Sequence, residues 1–460
     1  MSTMLAAGHA FADITPHVGA ALSGYASRDR GSDALGDPLE AHALVLDDGD
    51  RAMALVSVDL LGVTPEVTAQ ARAIAAAETQ LAPEAIAICA SHTHFGPMLE
   101  PASYLPEALQ AMVSRAYCAV LAEKLGGMIA EAWRARVRAR LGSGTGWAPG
   151  ISFNRRPIQA DGQTAMLYTM DPEMAAVASA VGAELAAGWL EGERAERLSE
   201  PLEGLKGLRA GVTDPGVTVL RVEAEDGAPL CAVVSFACHA TCGGANFYAI
   251  SSDYVGYARE VLWDALRVPT VFLLGCAGDQ VPAWREGDSR SRVGQSVGAE
   301  ALRVWHQIVT SDSVAIATVS RNVQFPLRPL PTLEEARKQL EGKGGPGDAG
   351  AAFERHMLAL SEQFGGQTAR ESEMWAAAIG DVGIVGMPGE VFTEIGLAIK
   401  AGTPFGRTAP VSLANDYINY FPTRAAYAEG GYEPTWSPNA PEAGERLVEE
   451  GLAMMEELKG

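Results

Sequence analysis

Two apolar runs, ALVLDD (43–48) and RAMALVSVDLLG (51–62), are followed along the chain by PEVTAQARAIAAAETQ (65–80) and AIAICAS (85–91). The first, second and fourth of these runs are short and strongly apolar, which predicts buried strands. The third carries apolar residues every three or four positions, as on one face of a helix. Strands that alternate with helices in this way predict an α/β fold.

Similar runs continue the alternation through the rest of the chain. The later strand-like runs are VTVLRVEAED (217–226), CAVVSFACH (231–239), PTVFLLGC (269–276), VAIATVSRN (314–322) and GDVGIVGMPG (380–389). Some neighbouring runs read as hairpins, whereas others precede helical segments such as DYVGYAREVLWDAL (253–266). We therefore expect a mixed β-sheet core flanked by helices, in one domain that spans residues 1–460.

Three segments between the strand-like runs have patterns of their own. Residues 106–136 read as helical. Residues 157–212 include the alanine-rich helical stretch PEMAAVASAVGAELAAGWLEG and stand between two motif-bearing segments, so they are a candidate lid or pocket wall. The glycines and proline of GKGGPGDAGAA (342–352) predict a loop inside the domain.

Composition excludes several classes of protein. The chain has 460 residues, 48% of them hydrophobic, and a formal net charge of −22, which would repel the phosphates of nucleic acid. The N-terminal stretch MSTMLAAGHAFADITP lacks the basic and apolar regions of a signal peptide, and no run of about 18 apolar residues predicts a transmembrane segment. We expect a cytoplasmic protein that does not bind nucleic acid.

The six cysteines mostly lie inside apolar runs, which indicates buried, reduced thiols. Cys238 and Cys242 stand four residues apart and could form half of a metal site. The sequence has no second close pair that would complete a four-cysteine zinc site.

The sequence Ser91-His92-Thr93-His94 directly follows the strand-like run AIAIC. Residues two apart on a strand point to the same face, so both imidazoles can approach one metal ion or one substrate. The same pattern also occurs in ordinary loops, so the spacing alone leaves both interpretations open.

Polar side chains also end other strand-like runs. His239 follows AVVSFAC, and Glu390 follows GIVGMPG. His239 is either a metal ligand or a core histidine, and Glu390 is either a ligand or a first-turn carboxylate of the helix VFTEIGLAIK. Asp253 and Asp279 follow the same pattern, so each could hold a ligand histidine through its second ring nitrogen, or, for Asp253, cap a helix.

An ordered set of motifs resembles the catalytic domain of the neutral (non-lysosomal) ceramidases. The motifs run from about residue 7 to residue 435 and are DITPHVGAALSGY, ASHTHFGP, FNRRP, FACHAT with SSDYVGYARE, GCAGDQVP, GMPGEVF, and NDYINYFPT with YAEGGYE. The resemblance implies a zinc-dependent amidase that cleaves the N-acyl bond of a sphingoid base.

The resemblance also implies which residues do the chemistry. By motif, the zinc ligands would be His92, His239, Glu390 and Tyr420, and the residues facing the reacting carbonyl would be His94, Arg155 and Tyr432. Tyr420 is preferred to Tyr417 because the spacing of the two tyrosines in NYFPTRAAYAEGGYE is similar to the family pattern. For Arg155, a surface ion pair and replacement by its neighbour Arg156 remain alternatives.

Two departures from the family bear on the substrate. The chain has GDQVP where the family tends to have Gly-Asp-Val-Ser-Pro-Asn, and it is shorter than the secreted members, which carry a signal sequence and a C-terminal immunoglobulin-like domain. We therefore expect an intracellular relative acting on a small-molecule or lipid-like amide. The alternatives are a zinc hydrolase of a small ester, lactone or non-lipid amide, and a non-catalytic lipid or small-molecule binding protein with structural zinc. A two-metal phosphoesterase is disfavoured because no carboxylate sits in a bridging motif.

Overall fold

The structure is a computed structural model that describes residues 4–191, 198–341, 343 and 349–460. Its strands are β1 Ala6–Asp13, β2 Ala34–Leu35, β3 Glu40–Asp47, β4 Ala52–Val58, β5 Ile86–Ala90, β6 Val137–Trp147, β7 Ser152–Asn154, β8 Gly216–Ala224, β9 Pro229–Phe236, β10 Ala249–Ile250, β11 Thr270–Leu274, β12 Gln280–Pro282, β13 Ile316–Pro326, β14 Ala369–Ile379, β15 Val382–Gly386, β16 Glu390–Val391, β17 Arg407–Val411 and β18 Tyr420–Phe421.

Helices lie between these strands along the chain. They are α1 Pro65–Glu78, α2 Glu107–Gln110, α3 Arg115–Arg134, α4 Pro172–Glu191, α5 Tyr254–Leu266, α6 Ser289–Trp305, α7 Leu333–Leu340, α8 Ala349–Phe364, α9 Thr393–Gly402, α10 Arg424–Glu429, α11 Tyr432–Trp436 and α12 Ala443–Lys459.

Two larger sheets form the centre of the molecule. One has eight strands in the order β11-β9-β8-β6-β1-β3-β4-β5, and the other has four in the order β13-β14-β15-β17. Both are mixed, because β4 and β5, β9 and β11, and β15 and β17 pair in parallel while the other neighbours pair antiparallel. The predicted mixed sheet is confirmed, but it is divided into two sheets.

One apolar core lies between the two sheets and others lie beneath the helices. Leu44, Leu55 and Val233 of the larger sheet share a buried cluster with Trp375 and Ile384 of the smaller one. The opposite face of the larger sheet packs against α1 and α3 at one end and against α5 and α6 at the other. The outer face of the smaller sheet packs against α9 and α12. The resulting layers are helix, sheet, sheet and helix.

Helix α1 shows how local sequence places an element. Thr64 accepts a hydrogen bond from the Val67 amide at 3.2 Å, and Pro65 occupies the first turn, where its missing N–H costs nothing. Val67, Ala71 and Ala75, four residues apart, form the buried face. The helix therefore begins where the sequence predicts it to begin and ends two residues before the predicted end.

Two predicted segments differ from the structure or fall partly outside it. Residues 349–352 belong to α8 and not to a loop, whereas 342 and 344–348 lie outside the described residues. In the predicted lid, α4 packs against β7 and α9. Residues 192–197 of this segment also lie outside the described residues. A role for 157–212 as a lid stays a prediction.

In the described ranges, no helix combines the length and the apolar character needed to cross a bilayer. All six cysteines are free thiols, and Cys118 is the one that is only half-buried.

Candidate metal centre

The predicted ligands come together at the ends of three separated chain segments. His92 and His94 follow β5, His239 follows β9, and Glu390 begins β16. His92 has a φ of 63°, a left-handed conformation that is uncommon outside glycine and that turns the chain at the strand end. All four side chains are buried. Glu390 caps no helix, so that alternative is excluded.

Glu390 and the histidine rings converge on one point. The Oε2 atom of Glu390 lies 3.1 Å from Nε2 of His92 and 3.1 Å from Nε2 of His239. The Nε2 atom of His94 lies 3.3 Å from Nε2 of His92. One ring nitrogen from each histidine lies within 4.8 Å of the others, a grouping that could hold a metal ion.

The second ring nitrogens of His92 and His239 are held by the backbone. Nδ1 of His92 is 2.8 Å from the Leu61 carbonyl oxygen, and Nδ1 of His239 is 2.6 Å from the Ala277 carbonyl oxygen. A carbonyl oxygen can only accept, so each Nδ1 carries a hydrogen and Nε2 of each ring is directed to the centre.

The prediction that Asp253 or Asp279 holds a ligand histidine is therefore wrong. Asp253 accepts hydrogen bonds from the amides of Cys242 and Gly243, and Asp279 accepts them from Asn154 and Thr393. Both carboxylates fix the loops that follow the strands, while backbone carbonyls lie closer to the rings. Asp253 also makes no side-chain cap on α5.

This donor set fits a cation. Burial, followed by the His92 and His239 rings, lowers the pKa of His94 well below 6.5, and burial lowers the pKa of His239 to about 4, so both rings are neutral near pH 7. A carboxylate that faces imidazole lone pairs is an electron-rich cage, which a divalent metal ion would stabilise.

Arg155 lies inside the protein, next to this cage. It donates from Nε to Glu433 at 2.7 Å and from one terminal nitrogen to the Gly278 carbonyl at 2.8 Å and to the Tyr420 hydroxyl at 3.3 Å. Arg156 instead pairs with the other oxygen of Glu433 at 2.6 Å. The interpretation of Arg155 as a surface ion pair is excluded, and Arg156 donates to the backbone carbonyls of Ala426 and Gly430 rather than to Tyr420.

Glu433 is a residue that the sequence reasoning missed. It is fully buried and bridges Arg155 and Arg156. Burial opposes its ionisation, yet the two guanidinium groups hold its pKa below 4.5. It lies inside the motif YAEGGYE, next to Tyr432, but nothing in its spacing distinguishes it from a solvated first-turn carboxylate.

The contacts of Tyr417 and Tyr420 differ from those expected from the motif. The Tyr417 hydroxyl donates to Oε1 of Glu390 at 2.7 Å, whereas the Tyr420 hydroxyl contacts Arg155. The Tyr420 and Tyr432 rings pack edge to face with centroids 5.8 Å apart. Backbone pairing of Glu390 with Tyr420 in β16 and β18 nevertheless keeps Tyr420 beside the cage. Its role as a metal ligand stays a prediction.

A small cavity opens onto these side chains and adjoins a larger groove. The cavity has a volume of about 50 Å³ and is lined by Glu390 together with His94, Tyr417, Tyr420 and Tyr432. The groove has a volume of about 450 Å³ and shares Leu61, Tyr104, His356, Tyr417 and Asn419 with the cavity. A substrate with an extended part can therefore occupy both.

No protein-family model and no curated protein matches this chain in sequence. Solved structures match its fold. The crystal structure of neutral ceramidase from Pseudomonas aeruginosa superposes with a TM-score of 0.70 at 19% identity, over 99% of this chain and 74% of the other. A ceramidase complexed with C2 superposes with a TM-score of 0.71 at 19% identity, over 99% and 75%. The resemblance indicated by the motifs is confirmed at the level of the fold.

Proposed function

We propose that this chain, which has the neutral ceramidase fold, is a zinc-dependent hydrolase that cleaves an N-acyl amide bond. The observation that carries the proposal is the carboxylate oxygen of Glu390, flanked at equal distance by the Nε2 atoms of His92 and His239. Nitrogen and oxygen ligands of this kind are typical of catalytic zinc sites, which keep one position open.

The resemblance assigns the ligands, and the geometry is compatible with that assignment. His92, His239 and Glu390 would hold zinc, with Tyr420 as the fourth ligand. When bound, zinc supplies Lewis-acid activation of water and of a carbonyl oxygen.

Three side chains of this protein would act on the amide. His94 is neutral and lines the cavity, so it can accept a proton and later donate it to the leaving amine. Arg155 keeps its positive charge because Glu433 is fixed beside it, and it can stabilise negative charge on the carbonyl oxygen. Burial raises the pKa of the Tyr432 hydroxyl, which therefore stays protonated as a hydrogen-bond donor.

The test combines metal analysis with a substrate screen. We expect about one equivalent of zinc per chain and loss of activity on chelation, with recovery on adding zinc. The screen would use N-acyl sphingosines, short N-acyl amines, N-acyl amino acids and lactones, with release of the amine or acid as the readout. Full activity after metal removal would contradict zinc dependence, and turnover of none of the amides would contradict the amidase assignment.

A second candidate is hydrolysis of a small ester, lactone or non-lipid amide. The observation that favours it is the volume of the cavity beside Glu390, about 50 Å³, which suits a compact reacting group. Turnover restricted to the small substrates of the screen would support this candidate, and turnover restricted to N-acyl sphingosines would exclude it.

A further inference from the structure

A second cavity lies away from the candidate metal centre. It has a volume of about 410 Å³, and its lining comes from β1, β3, α5 and the start of β11. None of the seven predicted site residues lines it. Its volume is in the range of small-molecule sites, which run from about 300 to 1,000 Å³.

The lining carries more negative than positive charge. Arg259 is neutralised by the buried Asp59, with Nη1 3.0 Å from Oδ1, and lies 3.5 Å from Glu40. Asp37 pairs with Arg290 at 3.0 Å. Around the cavity, the three carboxylates of Asp37, Glu40 and Asp59 outnumber the two guanidinium groups of Arg259 and Arg290. Glu260 adds a fourth carboxylate.

Glu260 is an exposed carboxylate of α5 that makes no ion pair within the described part of the chain. Partial burial and the nearby Asp37 and Asp264 raise its pKa. The carboxylates of Asp37, Glu40 and Glu260 share the cavity lining with a single guanidinium group, that of Arg259. The cavity therefore attracts a cation.

Two aromatic rings border the same cavity and are unusually exposed for their size. Trp263 is 50% exposed and Phe11 is 61% exposed. The guanidinium of the exposed Arg267 lies 5.8 Å from the Trp263 ring centroid, so this ring already attracts positive charge. Apolar rings beside excess carboxylate suit a ligand with an apolar part and a positive part.

A buried hydroxyl on the cavity wall lacks a partner. Thr270 is 2% exposed, and its Oγ1 has no hydrogen-bond partner among the described residues. Side chains alternate along a strand, so Thr270 lies on the same face of β11 as Phe272, which packs against α5. The Thr270 side chain thus stands on the α5 side of the sheet, where it lines the cavity, and a buried polar atom without a partner carries a free-energy cost that a ligand can remove.

We propose that this cavity binds a small organic cation, an amine attached to an apolar group. The ammonium group pairs with the excess carboxylate at Glu260 and Glu40 and donates a hydrogen bond to Thr270. The apolar group packs against Trp263 and Phe11. This site is separate from the metal centre and does not depend on the proposed hydrolase activity.

The test is a calorimetric titration of the full chain with 2-phenylethylammonium. We expect saturable binding of the ammonium and weaker binding of 2-phenylethanol and 3-phenylpropionate, which have similar apolar groups without the positive charge. Glu260→Gln and Trp263→Leu should each weaken binding about two- to fivefold, as expected for an exposed ion pair and an exposed cation–π contact. The control Glu123→Gln, at an exposed glutamate of α3, should leave affinity unchanged.

Two further variants separate the possible outcomes. Thr270→Val keeps the side-chain shape, so weaker ammonium binding in this variant supports a direct hydrogen bond. His92→Ala should bind the ammonium as the native protein does. Four outcomes would each overturn the proposal. They are no saturable binding of the ammonium, equal affinity for 2-phenylethanol, unchanged affinity in both Glu260→Gln and Trp263→Leu, and loss of binding in His92→Ala.

Discussion

At the scale of single residues, His92 and His94 have different surroundings although they are two positions apart. His92 is fixed at both ring nitrogens, by Leu61 and Glu390, whereas Nδ1 of His94 has no partner among the described residues. We expect His92→Ala to lose the metal. His94→Ala should keep the metal and lose about 10²- to 10⁴-fold in turnover, the usual contribution of a general acid–base residue.

Metal content and kcat, measured on the same preparations, check this split. Replacement of the exposed His306 by Ala serves as the matched control and should change neither quantity. If His94→Ala lost the metal as completely as His92→Ala, His94 would be a third imidazole ligand.

Tyr417 has a role that its position in the motif does not indicate. Its hydroxyl is the hydrogen-bond donor to Oε1 of Glu390, and partners of metal-ligating carboxylates typically contribute about 10- to 100-fold to metal affinity. We expect Tyr417→Phe to weaken zinc binding by that factor. Competition with a chelator of known affinity measures the change.

The control for Tyr417 is Tyr427, whose hydroxyl donates to the Asn439 carbonyl away from the cage. Tyr427→Phe should bind zinc as the native protein does. Native affinity in Tyr417→Phe would show that the hydrogen bond to Glu390 does not support the metal site.

At the scale of elements, α5 and α6 approach each other closely because glycines stand at their contact. A methyl group at Gly294 would collide with the Tyr254 carbonyl oxygen, and one at Gly298 would lie 2.7 Å from the Ala258 carbonyl oxygen. Gly294→Ala should therefore destabilise the protein by about 1–3 kcal/mol, as overpacking does, despite the better helix propensity of alanine.

A glycine in another helix serves as a control that separates the effect of close packing on stability from the effect of helix propensity. Nothing lies within 4 Å of a methyl group added at Gly127 in α3, so Gly127→Ala should stabilise the protein by about 0.4–1 kcal/mol. Urea denaturation measures both free energies of unfolding. Equal effects of the two substitutions would contradict close packing as the cause.

Local signals predicted some elements well and others not at all. Thr64, Pro65 and the four-residue spacing of buried positions define α1, because capping and amphipathicity act within one helix. Strands β6 and β14 were missed: VRARLGSGTGW is polar and glycine-rich, and ARESEMWAAAI begins with charged residues. These strands form because neighbours in the sheet supply their hydrogen bonds, and such pairing is not visible in a local window.

At the scale of the whole molecule, a half-buried histidine, His9, makes folding sensitive to acid. Burial, followed by the neighbouring His42 ring, lowers the pKa of His9 to about 3, whereas a histidine in the unfolded chain has a pKa of about 6.5. Below pH 6.5 the unfolded chain binds a proton that the folded chain excludes. The stability present above that pH is therefore lost progressively as the pH falls towards 3.

We expect His9→Gln to lose less stability than the native protein between about pH 7.5 and pH 5, because this proton-binding difference is removed. Free energies of unfolding in urea at the two pH values provide the measurement. A control variant with a substitution at the exposed His306 should lose as much stability between these pH values as the native protein does. If His9→Gln lost the same amount as the native protein, His9 would make no contribution to the acid sensitivity.

The amino-acid sequence by itself determined the α/β class, the helix starts set by local caps, and the presence of ligand-type side chains after strand-like runs. These features depend on residues close together in the chain. Only the tertiary structure decided that His92 and Glu390, 298 positions apart, meet at one point, and that carbonyl oxygens rather than Asp253 or Asp279 orient the rings. The order of strands in the two sheets sets these contacts, and that order arises from pairing and burial across the whole chain.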